Sequence, residues 1–202
     1  MPSMWDERYS QPGYAFGTQP NEFLQEHFSR IPPGGRVLCL AEGEGRNGVF
    51  LAEQGYEVTG VDLSPVGLKK AQALAAERKV QITTRVADLA DFDPGTDAWD
   101  GVVSIAVHLP PEVRKALHAR VVASLRSGGV FILEGFTEKQ LEMPGKGGPS
   151  AEHRELFLSL EAVCREIAGL QVLIGREIER IMDGGDHHRG ASAVLQLVAQ
   201  KP

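Results

Sequence analysis

Two glycines and a distant aspartate suggest how this chain could bind a nucleoside. Gly43 and Gly45 lie in a turn between a buried apolar run and a predicted helix. Glycine lets a backbone turn tightly and approach a ligand closely, and helix N-terminal amides lack partners within the helix. Asp62 ends the next predicted strand, seventeen positions after Gly45, where a carboxylate can accept both hydrogen bonds of a ribose diol. Each feature alone is explained by a tight turn or a helix cap, but the combination predicts nucleoside binding.

A third contact follows the third predicted strand. Asp88 stands at the end of that strand and is followed by Leu89. The Asp88 carboxylate can accept a hydrogen bond from an adenine amino group, while the Leu89 amide faces a ring nitrogen. An aspartate after a strand is more often a turn residue. Here it follows a strand whose end should lie beside the other two contacts, so we assign it to adenine.

The same glycine turn also matches the dinucleotide fingerprint Gly-x-Gly-x-x-Gly, so a nicotinamide-dependent oxidoreductase is an alternative. The chain is too short for a separate substrate domain, and no tyrosine is followed four residues later by lysine. Moreover, Glu42 and Glu44 lie in the turn, where they would repel a pyrophosphate. S-adenosylmethionine carries no phosphate and is net cationic, so nearby carboxylates favour it.

These residues need a sheet that brings the strand ends together. Apolar runs alternate with helical patterns, which predicts a mostly parallel sheet with helices on both faces. Only a short polar segment joins the last two runs, so these two strands should be antiparallel. The predicted strands are 36–41, 57–62, 80–86, 99–106, 130–136, 171–181 and 191–199, and the principal helices beyond the glycine turn are 64–78, 110–127 and 151–168.

Composition narrows the class of protein. The 202 residues suit one α/β domain, and the net charge of −6 without a long basic run argues against a nucleic-acid partner. The two cysteines have no metal or redox spacing and are expected to be reduced thiols. The N-terminus lacks signal-peptide features, and no apolar run reaches the roughly 20 residues of a membrane span. We therefore expect a cytoplasmic protein without a membrane partner, as a monomer or weak homodimer.

If the bound nucleoside is S-adenosylmethionine, three histidines follow strands that should end near its methyl group and near the molecule that would accept this methyl, the acceptor. His108 follows the fourth strand, and His187 and His188 lie in the final hairpin. We expect His108 and His188 to serve the acceptor, because histidine can accept a proton near neutral pH. The alternative is that His108 has only a structural role and packs against the prolines that begin the next helix. Asp186 beside the histidine pair suggests a metal ion, but adjacent residues rarely point at one ion, so we expect no metal site.

The N-terminal thirty residues and segment 137–150 are less regular. Residues 1–20 contain many aromatic residues, glycines and prolines without a clear period, and a short helix is expected over about 20–30. Arg8, Tyr14 and Phe16 could form a lid over the cofactor, and the alternative is a flexible terminus. Segment 137–150 is polar and rich in glycine and proline, which predicts a mobile loop.

The chain resembles a known family at several motifs. VLCLAEGEGRN at 37–47, GVDLS at 60–64, ADL at 87–89 and GGVFILE at 128–134 resemble the successive motifs of class I S-adenosylmethionine-dependent methyltransferases. WDERY at 5–9 and YAFGTQPN at 14–21 resemble its tellurite-resistance and thiopurine methyltransferase branch.

That resemblance implies a Rossmann-like, seven-stranded sheet with the last strand antiparallel, and favours both the lid and a hairpin histidine near the acceptor. It also implies in-line transfer of a methyl group from S-adenosyl-L-methionine to a small-molecule acceptor, such as a thiol or chalcogen oxyanion. A regulatory protein that binds the cofactor without turnover is an alternative. The expected cofactor-binding residues are Arg8, Tyr14, Phe16, Glu42, Gly43, Gly45, Arg46, Asn47, Asp62, Leu63, Ser64, Asp88 and Leu89.

One motif departs from the family pattern. The family usually has an acid where this chain has Cys39, glycine at Ala41, and cysteine or glycine at Glu42. The acid that helps to hold the methionine ammonium is thus displaced by three residues, and Glu42 could replace it. The alternative is a solvent-facing glutamate. The expected organisation is one domain, with a lid and helix at 1–30, a cofactor core at 36–136, and an acceptor-side loop, helix and hairpin at 137–202.

Overall fold

The computed structural model describes residues 4–185 and 187–202, and its centre is a seven-stranded sheet of order β3-β2-β1-β4-β5-β7-β6. Strands β1 to β5 are parallel, whereas β7 is antiparallel to both of its neighbours, β5 and β6. The predicted sheet with an antiparallel last strand is confirmed. The strands are β1 Arg36–Leu40, β2 Glu57–Asp62, β3 Thr83–Val86, β4 Trp99–Ile105, β5 Leu125–Phe136, β6 Gln171–Gly184 and β7 His188–Gln200.

Helices cover both faces of this sheet, as the side chains of β1 show by pointing alternately to one face and the other. Leu38 and Leu40 face a core that contains residues of α5 and α6, whereas Val37 and Cys39 face residues of α2 and α3. Burial on both faces explains why β1 is a continuous apolar run. The helices are α1 Met4–Tyr9, α2 Glu22–His27, α3 Arg46–Glu53, α4 Pro65–Glu77, α5 Pro111–Ser124 and α6 Leu160–Glu166, with 3-10 segments Phe28–Arg30, Glu138–Glu142 and Ala151–Leu156.

The N-terminal segment is more ordered than its sequence predicts. Met4–Tyr9 forms α1, and the Tyr9 side chain is buried. A short helix that buries one residue produces no helical period in the sequence, so periodicity could not reveal it. The predicted helix over 151–168 is also corrected: it is a 3-10 segment followed by α6, because the Ser159 hydroxyl accepts a hydrogen bond from the Ala162 amide and begins a new helix.

Segment 137–150 lies against β7. The Gly145 amide donates to the Ala191 carbonyl over 3.0 Å, and Lys146 and Arg189 exchange two backbone hydrogen bonds. Lys146 and its neighbours are thereby held at the end of the sheet where β1, β2 and β4 finish. None of the helices in the described part of the chain is long and apolar enough to cross a bilayer.

Candidate functional site

A cavity of about 680 Å³ lies at the carboxyl ends of the parallel strands, where the strand order reverses between β1 and β4. Ligands bind at this position in open α/β sheets, in cavities of roughly 300–1,000 Å³. Most residues predicted from the sequence line this cavity. They are Arg8, Phe16, Glu42, Gly43, Arg46, Asn47, Asp62, Leu63, Asp88, Leu89, His108 and His188.

Asp62 is fixed by the backbone around it. The Gly43 amide donates to Asp62 Oδ2 and the Ser64 amide to Oδ1, each over 2.8 Å. Gly43 has a φ of 60°, a conformation that L side chains rarely adopt, so the turn needs glycine there. Burial raises the pKa of Asp62 above its ordinary value. The carboxylate is therefore held rigidly in the wall, and a ligand's hydrogen-bond donors or positive charge would favour its ionised form.

Glu42 is buried beneath the glycine turn and does not face solvent. Its Oε1 accepts a hydrogen bond from the Gly48 amide over 2.7 Å, and its carboxyl group also accepts a hydrogen bond from the Cys39 thiol. The absence of a side chain at Gly60 leaves room for it, since a Cβ there would lie 2.8 Å from Glu42 Cγ. Burial raises the pKa of Glu42 to about 7. A carboxyl group thus reaches the space beside Cys39, the position at which the family that the sequence resembles usually has an acid.

Glu44, the second acid of the turn, is engaged by other protein groups. Its carboxylate accepts hydrogen bonds from Lys70 Nζ over 2.8 Å and from the Ala15 amide over 2.7 Å. Lys70 Nζ also donates to the carbonyls of Gln11 and Gly13. Glu44 therefore docks residues 4–17, the N-terminal segment, against the glycine turn. Glu44 lines the cavity as well, and the Lys70 ammonium balances the charge that Glu44 was expected to offer a cationic cofactor.

Tyr9 belongs to the wall although sequence reasoning missed it. Its hydroxyl oxygen would lie 2.8 Å from a Cβ at Gly43, and its ring would lie equally close to a Cβ at Gly67. Two glycines therefore form the slot that receives Tyr9. The ring also stacks on Trp5, with centroids 5.7 Å apart. An aromatic residue opposite two glycines could be recognised only once the N-terminal segment was docked.

Three residues predicted to bind the cofactor lie outside the wall, and each has a structural role. The Ser64 hydroxyl caps α4 by accepting from the Gly67 amide and donates to Asp6. Gly45 packs against α4, since a Cβ there would lie 2.7 Å from the Ala71 backbone. Tyr14 packs beside Lys70, whose Nζ lies 5.7 Å from the ring centroid.

Asp88 lines the cavity and also shapes its own turn. Its Oδ1 accepts a hydrogen bond from the Ala90 amide over 2.9 Å, as the turn interpretation requires. Arg120 on α5 also stabilises this turn, because its Nη2 donates to the carbonyls of Leu89 and Ala90. Leu89 lies in the wall with its side chain buried. The turn that should contact adenine is thus fixed on both sides.

His108 lines the cavity, but the backbone engages both of its ring nitrogens. Nδ1 donates to the Leu156 carbonyl over 3.0 Å, and Nε2 accepts from the Phe136 amide over 3.3 Å. Burial lowers the pKa of His108 to about 4. A neutral imidazole with its acceptor nitrogen occupied is poorly suited to take a proton, so the geometry favours a role for His108 in shaping the wall.

His188 differs from His108 in its hydrogen bonding. Its ring lies 4.5 Å from that of Phe16 and 5.1 Å from that of Phe136, measured between centroids. Nδ1 is buried and has no hydrogen-bond partner among the described residues. Burial, reinforced by the charge of Arg46, lowers the pKa of His188 to about 3. The side chain is therefore neutral, and its Nδ1 is enclosed by protein in the wall of the cavity.

The described residues contain no group of three or more potential metal ligands from histidine, cysteine, aspartate and glutamate. His187 lines the cavity next to His188. Asp186, the residue that suggested a metal ion, lies outside the described residues.

Comparison with known proteins identifies relatives in sequence and in structure. A family model described as "Methyltransferase domain" matches residues 37–129. A thiopurine S-methyltransferase of Pseudomonas entomophila is 29% identical over 198 residues, which cover 85% of this chain and 88% of that protein. A 2-heptyl-1-hydroxyquinolin-4(1H)-one methyltransferase of Mycobacteroides abscessus is 29% identical over 144 residues, which cover 69% of this chain and 62% of that one.

Solved structures share the fold at lower sequence identity. TehB from Haemophilus influenzae superimposes with a TM-score of 0.71 at 18% identity, covering 90% of this chain and 62% of that chain. Magnesium protoporphyrin IX methyltransferase from Synechocystis, solved with bound S-adenosylhomocysteine, gives a TM-score of 0.64 at 21% identity, covering 90% and 79%.

Proposed function

The chain belongs to the class I S-adenosylmethionine-dependent methyltransferases. We propose that its cavity holds S-adenosyl-L-methionine beside a small-molecule acceptor, such as a thiol or chalcogen oxyanion, and that the methyl group is transferred to this acceptor. The observation that carries this proposal is one continuous cavity with Asp62 and Asp88 at one part of its wall and His108 and His188 at another. Two relatives are named for methylating small heterocyclic molecules, a thiopurine and a hydroxyquinolone, which supports an acceptor of this size.

The wall suits a cationic nucleoside. Two buried carboxyl groups, Glu42 and Asp62, have raised pKa values because of burial, and a positively charged ligand would stabilise their ionised forms. We assign the ribose hydroxyls to Asp62, the adenine to Asp88 and the Leu89 amide, and the methionine end to Glu42 and the Gly43 backbone. When bound, the cofactor supplies a methyl group on sulfonium sulfur, which an acceptor takes by displacement in line with that sulfur.

The chain contributes to this reaction by holding and enclosing the reactants. Positioning two reactants can lower a barrier by roughly 7–11 kcal/mol, and an acceptor that is already nucleophilic needs no general base. The neutral histidines fit such a mechanism. Arg8 and Phe16 in the N-terminal segment and Lys146 in segment 137–150 all contribute to the cavity wall.

Turnover distinguishes an enzyme from a regulatory protein that only binds the cofactor. The purified chain would be incubated with S-adenosylmethionine and a panel of thiols, thiopurines, and oxyanions of selenium or tellurium, while release of S-adenosylhomocysteine is measured. We expect acceptor-dependent release by the wild type and much slower release by an Asp62→Ala variant when the cofactor is not saturating. Binding of S-adenosylhomocysteine without release for any acceptor would favour the regulatory alternative.

Glu42 gives cofactor binding a pH dependence that its removal should abolish. The groups facing its carboxyl are the Cys39 thiol, the Gly48 amide, Asp62 and Arg46. Since the pKa of Glu42 is about 7 and a cationic ammonium favours the ionised form, affinity for S-adenosylhomocysteine should fall as pH drops through about 7. We expect a loss of roughly 3–10-fold between pH of about 8 and about 6. A Glu42→Gln variant should bind more weakly at the higher pH with a flatter profile, and equal pH dependence in both proteins would exclude this role.

The N-terminal segment and segment 137–150 should become protected when the cofactor binds. Both contribute residues to the cavity wall, and loops that close over a ligand are commonly less stable without it. Limited proteolysis with and without S-adenosylhomocysteine measures this directly. We expect slower cleavage within 5–20 and 137–150 in the complex. Unchanged cleavage in both segments would remove the lid role from Arg8 and Phe16.

A further inference from the structure

The N-terminal segment covers the part of the cavity that we assign to the cofactor. It supplies six residues of the cavity wall, which are Met4, Trp5, Arg8, Tyr9, Phe16 and Gly17. With the segment docked, the side chain of Tyr9 lies against Gly43, and Asp62 is only 5% exposed. Displacement of this segment would therefore widen the route by which a ligand of cofactor size reaches Asp62.

Polar contacts hold the second half of this segment in place. None of residues 10–17 is buried, so apolar packing contributes little there. Lys70 on α4 contacts this stretch instead, because its Nζ donates to the carbonyls of Gln11 and Gly13 over 2.8 and 2.7 Å. The same ammonium donates to Glu44 Oε1 over 2.8 Å. An ammonium has three N–H donors, and these three bonds use all of them.

Glu44 connects these contacts to the glycine turn. Its Oε1 accepts from Lys70 and its Oε2 from the Ala15 amide over 2.7 Å. The side chains of Glu44 and Lys70 are 4% and 25% exposed, so the pair is largely shielded from water. Loss of one partner from such a pair is costly, because the other charge stays where it is poorly solvated. The two charges therefore tie residues 11–15 to both the glycine turn and α4.

These contacts join groups of the protein to one another. Lys70 is not among the described residues that line the cavity. Both carboxylate oxygens of Glu44, which does line it, accept hydrogen bonds from the protein. The contacts can therefore form whether or not the cofactor is bound, and they stabilise the closed position of the segment in both states.

We propose that Lys70 and Glu44 form a latch, which holds the N-terminal segment closed and sets how fast the cofactor enters the cavity and S-adenosylhomocysteine leaves it. This inference rests on the proposed methyltransferase function and adds a kinetic control to it. Because the latch stabilises the closed position equally in the free and the bound protein, weakening it should accelerate association and dissociation together. The dissociation constant, which depends on the ratio of the two rates, should change little.

The test compares Lys70→Met with Lys69→Met. Lys69 is exposed and precedes Lys70 on α4, so the two changes remove the same charge from adjacent positions. Binding and release of S-adenosylhomocysteine are followed by stopped-flow fluorescence of Trp5, which lines the cavity, and the dissociation constant is measured by calorimetry. Lys70→Met should raise both rate constants by about 10–100-fold, in keeping with loss of a charged hydrogen bond, and change the dissociation constant by less than about threefold. Lys70→Arg should restore part of the slow exchange, and Lys69→Met should behave like the wild type.

Proteolysis of the free protein tests the latch without a ligand. Chymotrypsin cleaves after aromatic residues, and Tyr14 and Phe16 lie in the stretch held by Lys70. Cleavage there should be faster in Lys70→Met than in Lys69→Met. Glu44→Gln should act in the same direction, and combining it with Lys70→Met should add little, because both changes break one pair.

Unchanged rate constants in a folded Lys70→Met protein would overturn the inference. Faster dissociation without faster association would also overturn it, since Lys70 would then stabilise only the bound form. Additive effects of the Lys70 and Glu44 changes would show that the two residues do not act as one latch. Failure of the wild type to bind S-adenosylhomocysteine would instead overturn the proposed function, and proteolysis would still measure whether Lys70 holds the segment.

Discussion

An Asp62→Ala variant is expected to lose about 100-fold in affinity for S-adenosylhomocysteine. Removal of a charged hydrogen-bond acceptor from the ribose costs about 1.5–3 kcal/mol, or roughly 10–150-fold. Asp62 also accepts the amides of Gly43 and Ser64. Alanine leaves both amides unpaired and releases the glycine turn, so we expect the loss to lie near the upper end of that range. Isothermal titration calorimetry measures the affinity directly.

Two matched variants sharpen this prediction. Asp62→Asn retains a carbonyl oxygen that can accept one of the two amides, so it should lose less affinity than alanine. Asp91→Ala alters an exposed carboxylate in the turn after β3 and should bind like the wild type. An Asp62→Ala protein that is folded and binds S-adenosylhomocysteine normally would show that the ribose does not contact Asp62.

A Glu166→Gln variant should be destabilised by about 3–5 kcal/mol without losing cofactor binding. Glu166 on α6 accepts hydrogen bonds from Arg114 Nε and Nη2 and from His118 Nδ1 on α5, at 2.8–3.1 Å. The side chains of Arg114 and His118 are 7% and 3% exposed, so the cation would remain buried without its partner. Breaking a buried pair on one side has a cost of this size. The midpoint of thermal unfolding should fall by roughly 6–20 °C.

The acid dependence of stability provides a second readout of this cluster. Burial alone would raise the pKa of Glu166, but hydrogen bonds and charge from His118 and Arg114 lower it from 4.5 to about 2. The stabilisation is therefore complete above pH of about 4.5 and is lost as pH falls towards about 2. Glu166→Gln should lack this part of the acid transition. Glu161→Gln, which alters an exposed pair with Arg165, should unfold like the wild type, and equal effects of the two changes would refute a specific role for Glu166.

The residues that we propose to hold the cofactor were predictable because they follow strand ends in a parallel sheet. Asp62 ends β2, and Gly43 and Asp88 follow β1 and β3 within three residues; the carboxyl ends of parallel strands meet at one edge whatever the surrounding packing. The antiparallel last strand followed from the short link between the final two apolar runs. These inferences need only local pattern and chain connectivity.

Other features depend on contacts between distant parts of the chain. Tyr9 enters the wall because Gly43 and Gly67 leave space for its ring, and Arg120 on α5 donates to the Leu89 carbonyl in the turn after β3. The hydrogen bonds of the His108 ring are made with the Leu156 carbonyl and the Phe136 amide. Neither partner can be inferred from the residues next to His108 in the sequence. Residue types and spacing thus locate a histidine near the site, but its hydrogen-bond partners determine its chemistry.

Binding of S-adenosylhomocysteine and NAD to the wild-type chain, measured by calorimetry under identical conditions, tests the central claim most directly. The buried carboxyl groups of Glu42 and Asp62 and the single continuous cavity predict binding of S-adenosylhomocysteine and no detectable binding of NAD. Tight binding of NAD without binding of S-adenosylhomocysteine would contradict the assignment of this cavity to methyl transfer.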